Sequence, residues 1–163
     1  MLQTEDYARA VIRGVLSTAS TREVEQRVQA RIERQAVLSG EDPLLLWVII
    51  DEAALRRMNG GPEVMREQLN HLLAAAAEPH VTLQVIPFGV GSHPGMLGSF
   101  VLMNFPDVDD PEIVYIDSMA GDLFLEAEAD VRRYSSIFDN LRAVALSPND
   151  SASLIAASVK DIP

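Results

Sequence analysis

The chain has 163 residues, 48% of them hydrophobic, with no cysteine and a net charge of −11. That size and apolar content suit one domain with a real core and exclude a disordered chain, while the lack of cysteine excludes disulfides and thiolate metal sites and fits a reducing cytoplasm. No apolar run approaches the roughly 20 residues that span a bilayer, the polar start MLQTEDYARA lacks the features of a signal peptide, and the negative charge argues against direct contact with nucleic-acid phosphates.

The first segment, TEDYARAVIRGVL, reads as a helix with Thr4 as N-cap and Tyr7, Val11 and Val15 on one stripe. Ser20 and Glu23 have capping-box spacing ahead of a second helix running to about Leu38, with Val24, Val28, Ile32 and Ala36 as its ridge and Gly40 as its stop. LLLWVII has no polar break and predicts a strand buried on both faces, with Trp47 as a core or pocket-lining residue. GGPEVMREQLNHLLAAAAEP predicts a helix with Pro62 in its first turn and Met65, Leu69, Leu72, Leu73 and Ala76 facing inward. VTLQVIP alternates, which predicts a strand with one less-buried face, so strand, helix and strand form a βαβ unit.

After the glycine-rich PFGVGSHPGMLG, three short strand candidates follow: SFVLMNF, EIVYID and DLFLE. PDVDDP and SMAG read as the turns between them, so the expected topology is an antiparallel meander. ADVRRYSSIFDNLRAVAL places Val131, Tyr134, Phe138, Leu141 and Ala145 on one helical face, and Ser147 and Pro148 open a last helix through SASLIAASV. The fold class is therefore α+β, with one mixed sheet of about five strands and helices at both the N- and C-terminal ends. Residues 1–163 are expected to form a single domain.

Charge is unevenly distributed. Residues 1–66 hold nine of the thirteen basic groups, whereas eleven acidic residues and no Lys or Arg lie between Arg66 and Arg132. Such runs form solvated faces, or they give an acidic region that attracts a basic partner protein or the Arg-rich helix of a second copy.

The glycine-rich loop lacks the parts of a phosphate cradle. It has no GKS/T sequence, and it leads into a strand rather than into a helix N-terminus that would hold an anion. His71 and His80 stand at no metal-ligand spacing from His93; His71 reads as a half-buried structural residue and His80 as a solvated turn residue. There is no GxSxG elbow, and Ser92 beside His93 is not in itself a triad. Asp51 and Glu52 follow the apolar strand, where they could form a carboxylate pair, cap a helix or pair with Arg56 or Arg57.

Several segments together carry a resemblance: LQTEDYARAVI, RVQARIERQAVL, WVIIDEAALRRMNGGPEVMREQLNHLLAAA, VTLQVIPFGVGSHPGMLGSFVLMNFPD, VYIDSMAGDLFLE and FDNLRAVALSPNDSASLI. They resemble the C-terminal domain of unknown function found in actinobacterial Xre-like helix-turn-helix transcriptional regulators. The resemblance implies a regulatory half that meets DNA only through an N-terminal helix-turn-helix domain, which is expected to be absent from this chain. It also implies association with small partner proteins, and it supplies no catalytic residue. The order of elements is similar to one half of a phospholipase D-like fold as well, but His93 is followed by Pro94, Gly95 and Met96 in place of the HxKxxxxD motif.

The leading expectation is a non-enzymatic, cytoplasmic domain that senses a small-molecule effector or a partner protein, with no cofactor and no metal. A ligand would sit outside the carboxyl ends of the two parallel strands, near Asp51, Glu52, Phe88 and His93, with Tyr115 and Asp117 approaching from the meander. The alternatives are a docking or dimerisation module using the Arg-rich helix and the acidic middle, and a small hydrolase using His93 with Asp51 or Asp117.

Overall fold

Helices begin where a short polar side chain can take up the first free N–H groups. The structure is a computed structural model and describes residues 1–107, 110–118 and 121–163. Helix α1 (Glu5–Val15) follows Thr4, whose hydroxyl accepts from the Tyr7 N–H at 3.4 Å, and α2 (Thr21–Glu33) follows Ser20, whose hydroxyl accepts from the Glu23 N–H at 3.2 Å. The path of α2 reaches Leu38 as expected, but tightens into a 3-10 turn over Arg34–Leu38. Next come β1 (Leu46–Asp51), α3 (Glu52–Arg56), α4 (Pro62–Ala76) and β2 (Val81–Ile86). Three strands follow, β3 (Val101–Met103), β4 (Ile113–Ser118) and β5 (Gly121–Leu125), and then α5 (Glu128–Val144) and α6 (Pro148–Lys160). Ser147 caps α6 by accepting from the Asp150 N–H at 3.2 Å, and Pro148 takes the first turn. Among the described residues no helix is long and apolar enough to cross a membrane.

The elements gather in two compact units within the expected single span. Met1–Phe88 and Leu146–Pro163 form the first, and Gly89–Ala145 forms the second. The α+β class and the terminal helices are as expected.

In the first unit β1 and β2 pair in parallel, from Leu46 opposite Val81 to Asp51 opposite Ile86, as a βαβ unit requires. Alternation puts Leu46, Val48 and Ile50 beside Val81, Leu83 and Val85 on the face that packs against Met65, Leu69 and Leu72 of α4 and Ile155 of α6. Each such buried aliphatic side chain contributes about 1.5–3 kcal/mol. Tyr7 of α1 joins this core, while Ile12 packs with Val24 and Val28 of α2 in a separate cluster. The inward stripe of α1 is therefore Tyr7, Ala8 and Ile12, and Val15 is exposed. Gln68 is buried with both ends of its amide used: its Nε2 donates to the Leu2 carbonyl at 2.7 Å and its Oε1 accepts from the Thr4 N–H at 2.8 Å.

The burial of the two strands is opposite to that expected. Leu44 and Leu45 precede β1 and are exposed, and Trp47 is 43% exposed, because the helices of the core lie on the face of the sheet that Trp47 does not share. In β2 five of six residues are buried. Gln84 is among them because its Oε1 accepts from the Trp47 indole N–H and its Nε2 donates to the Leu146 carbonyl, each at 2.8 Å. A polar residue with both partners supplied sits in the interior without penalty, so alternation alone misjudges the strand.

The five strands do not form one mixed sheet. They form a parallel pair, β1–β2, and a separate antiparallel sheet in the order β3–β4–β5. The reason lies at the outer edge of β2. The Val85 carbonyl accepts from the Leu146 N–H at 2.9 Å, and the Val85 N–H donates to Ser151 Oγ at 2.9 Å. At Val85 the groups that would pair with a third strand are already taken.

In the second unit the meander has the expected order, with Leu102, Val114 and Leu125 in one register row and Val101, Tyr115 and Phe124 in the next. Val114 is fully buried, α5 packs against β3 and β4, and Val131 and Leu141 are its buried residues. Phe100 and Tyr134 meet edge to face with ring centroids 5.0 Å apart. The glycine-rich loop folds into two 3-10 turns, Phe88–Val90 and Pro94–Leu97. Gly98 has a φ of 141°, which other residues rarely adopt, and a Cβ on Gly95 would lie 3.1 Å from the His93 ring. The turns expected at PDVDDP and SMAG include residues 108, 109, 119 and 120, which lie outside the described residues.

Ser151 is fully buried, and its hydroxyl closes the β2 edge. Ser151→Ala leaves the Val85 N–H without an acceptor and is expected to lower stability by about 1–3 kcal/mol in urea unfolding, whereas a loss under about 0.5 kcal/mol would show that the edge needs no closure.

Candidate functional site

The carboxyl ends of the parallel strands hold three of the six residues nominated from sequence, and the structure puts two of them to structural use. Asp51 ends β1 and caps α3, its Oδ1 accepting from the Ala53 N–H at 2.7 Å. Glu52 is 8% exposed and uses both oxygens: Oε1 accepts from Arg56 Nε at 3.1 Å, and Oε2 accepts from the Phe88 N–H at 2.9 Å. Arg56 also reaches Asp161 at 2.8 Å. Asp161, and after it Glu52, hold the Arg56 guanidinium above the ordinary arginine range by hydrogen bonding. Glu52 thus ties the start of α3 to the chain leaving β2, and through Arg56 to the end of α6. Phe88 contributes its backbone to this clamp and leaves its ring 59% exposed. The paired-carboxylate pattern of Asp51 and Glu52 is a helix cap followed by a buried acid paired with an exposed Arg56.

His93, Tyr115 and Asp117 belong to the second unit. His93 precedes the 3-10 turn Pro94–Leu97, its carbonyl accepts from the Met96 N–H at 3.1 Å, and its ring packs against Gly95. Tyr115 sits in the middle of β4 beside Phe124, with ring centroids 5.2 Å apart, and its hydroxyl donates to Asp122 Oδ1 at 2.9 Å. Asp117 lies directly opposite Asp122 in the register, a like-charged pair that the Tyr115 hydroxyl partly relieves. Among the described residues no cluster of three or more His, Asp or Glu could hold a metal ion.

Part of the Arg-rich front is neutralised within itself. Arg9 of α1 binds Glu5 and Asp6 on its own helix and Glu25 of α2, at 2.9 Å for the last, and Arg27 pairs with Glu23 at 3.2 Å. The hydrogen bond from Arg9 holds the Glu25 carboxyl below the usual glutamate range.

Sequence reasoning missed an open cleft of about 540 Å³ in the first unit, lined by Leu38, Pro43, His71, Glu78, His80 and Val81 among others. It lies at the opposite ends of the strands from the nominated crevice, since Val81 begins β2. His71 and His80 are both half-buried on its wall, and the His80 carbonyl accepts from the Leu46 N–H at 2.9 Å. No local motif announces the cleft, because its lining comes from separated segments.

These features define a small α+β domain whose strand-end charges are tied into the fold. The chain belongs to the family described as Domain of unknown function (DUF5753), which matches residues 1–157. No curated protein and no solved structure matches the chain, so the likeness to a phospholipase D-like half has no structural support.

Glu52→Ala removes the acceptor of the Phe88 N–H and one of the two partners of Arg56. Urea unfolding is expected to show a loss of about 1.5–3 kcal/mol, with Glu52→Gln recovering part of it because an amide oxygen still accepts from the Phe88 N–H. A loss below about 0.5 kcal/mol in Glu52→Ala would show that the clamp does not hold the fold.

Proposed function

We propose that the chain is the regulatory part of an actinobacterial Xre-like helix-turn-helix transcriptional regulator, working in the cytoplasm by binding an effector or a partner protein. DNA contact would belong to a separate helix-turn-helix domain of the same regulator. Membership of the DUF5753 family over residues 1–157 supports the resemblance that the sequence motifs carry. The observation that weighs most against the hydrolase is the state of Asp51, whose carboxylate is engaged as the N-cap of α3. A general base needs a carboxylate or imidazole within reach of the substrate proton and available to take it.

The small-molecule arm is supported by the open cleft beside His71 and His80, whose volume of about 540 Å³ falls within the range usual for ligand sites. The partner-protein arm is supported by the second unit, whose meander carries acidic side chains and no Lys or Arg. Native mass spectrometry of the chain purified from its host tests the reading. The expected result is a stoichiometric adduct, either a few hundred daltons for an effector or a second polypeptide. A bare chain that hydrolyses ester or phosphodiester substrates, with turnover lost in His93→Ala, would overturn the reading in favour of a hydrolase.

A further inference from the structure

The edges of the two sheets differ. The outer edge of β2 is closed at Val85 by Leu146 and Ser151, whereas β1 pairs only with β2 and β5 only with β4. Among the described residues no backbone of another segment hydrogen-bonds to the outer side of β5. Four of its five residues are exposed, including Leu123 at 48% and Phe124 at 57%. The strand GDLFL has no Lys and no Pro, its one charged residue is Asp122, and no further strand covers it among the described residues. The other edge, β3, has only three residues and is followed closely by Pro106.

The surroundings of β5 fix the sign of what it would pair with. Asp122 lies in the strand, Asp117 lies directly opposite it, and Glu126 follows the strand. The basic residues of this unit are Arg132, Arg133 and Arg142, all on α5, where Arg132 pairs with Glu128 and Arg142 with Asp139 at 3.0 Å. Among the described residues the edge is therefore a strip of peptide groups with no backbone partner, carrying two exposed apolar side chains and acids with no basic partner.

We propose that the outer edge of β5 is a strand-addition site for an extended, basic segment of a partner protein. This inference deepens the partner-binding arm of the proposed function and rests on it. Strand addition takes its affinity from main-chain hydrogen bonds and its specificity from alternate side chains. Along β5, Asp122 and Phe124 point to one face and Leu123 to the other. The incoming strand therefore places Lys or Arg beside Asp122 and apolar residues beside Leu123 and Phe124. A second copy of this chain does not fit, because none of its five strands contains Lys or Arg.

The test uses the full chain and a decapeptide of alternating Arg and Val, with an alternating Glu and Val peptide as control, read by hydrogen–deuterium exchange and by fluorescence anisotropy. The expected result is that exchange across Gly121–Leu125 slows about tenfold with the Arg peptide and not with the Glu peptide. Asp122→Lys and Phe124→Lys, both at exposed positions, are each expected to weaken binding about tenfold while the circular dichroism spectrum stays unchanged. Binding of both peptides alike, protection elsewhere than β5, or variants that bind like the parent would overturn the proposal. So would β5 protection that grows with protein concentration alone, since that assigns the edge to a second copy. Absence of β5 protection removes this site only; the regulatory reading falls by the mass measurement on the purified chain.

Discussion

The closure of the β2 edge is the contact on which the rest of the architecture depends. Val85 gives its carbonyl to Leu146 and its N–H to Ser151, and the adjacent Gln84 bridges Trp47 on β1 to the Leu146 carbonyl. Every polar group in this set has a partner, so burying it specifies one arrangement of the chain instead of destabilising it. The same contact returns the chain to the first unit at Leu146 and seats α6 on the core through Ile155. It also occupies the peptide groups of Val85 that a third strand would use. Residues 89–145 consequently form a unit of their own, inserted between β2 and α6.

A second constraint acts at the carboxyl ends of the strands, where ligand sites are common in parallel sheets. Here Glu52 fills that role with an internal bond. It joins the start of α3 to the backbone of Phe88 and, through Arg56, to Asp161 beyond α6. Breaking this set removes a shared acceptor from the Phe88 N–H and from Arg56 at once. The electrostatics of the first unit follow the same logic: Arg9, Arg27 and Arg56 each find an acid within that unit. Most of the unbalanced charge then lies in the second unit, whose meander has no base to offset its acids.

Local chemistry was the part of the fold most readable in the sequence. Thr4, Ser20 and Ser147 cap the helices they were expected to cap, since an N-cap needs only the next three residues. The βαβ unit and the order of the meander strands were readable for the same reason, through periodicity and turn residues. What escaped is what depends on distant partners. Gln84 is buried because of Leu146, 62 residues away, and Gln68 because of Leu2, 66 residues away. The break into two sheets has the same origin, since Ser151 meets Val85 across a separation of 66 residues. For Asp51 and Glu52 the sequence left a carboxylate pair, a helix cap and an ion pair with Arg56 or Arg57 open. Their cap and clamp roles became decidable only once α3, which the sequence pattern did not announce, put Arg56 one turn further on.

The central claim is that the chain itself closes the β2 edge at Val85 and leaves the outer edge of β5 open. Native-state hydrogen exchange followed residue by residue by NMR tests it most directly. The account predicts that the Val85 and Leu146 amides exchange only through global unfolding, with an opening free energy equal to that from urea denaturation, while the outward-facing amides of β5 exchange orders of magnitude faster. Exchange at Val85 as fast as at the outward-facing β5 amides would contradict it.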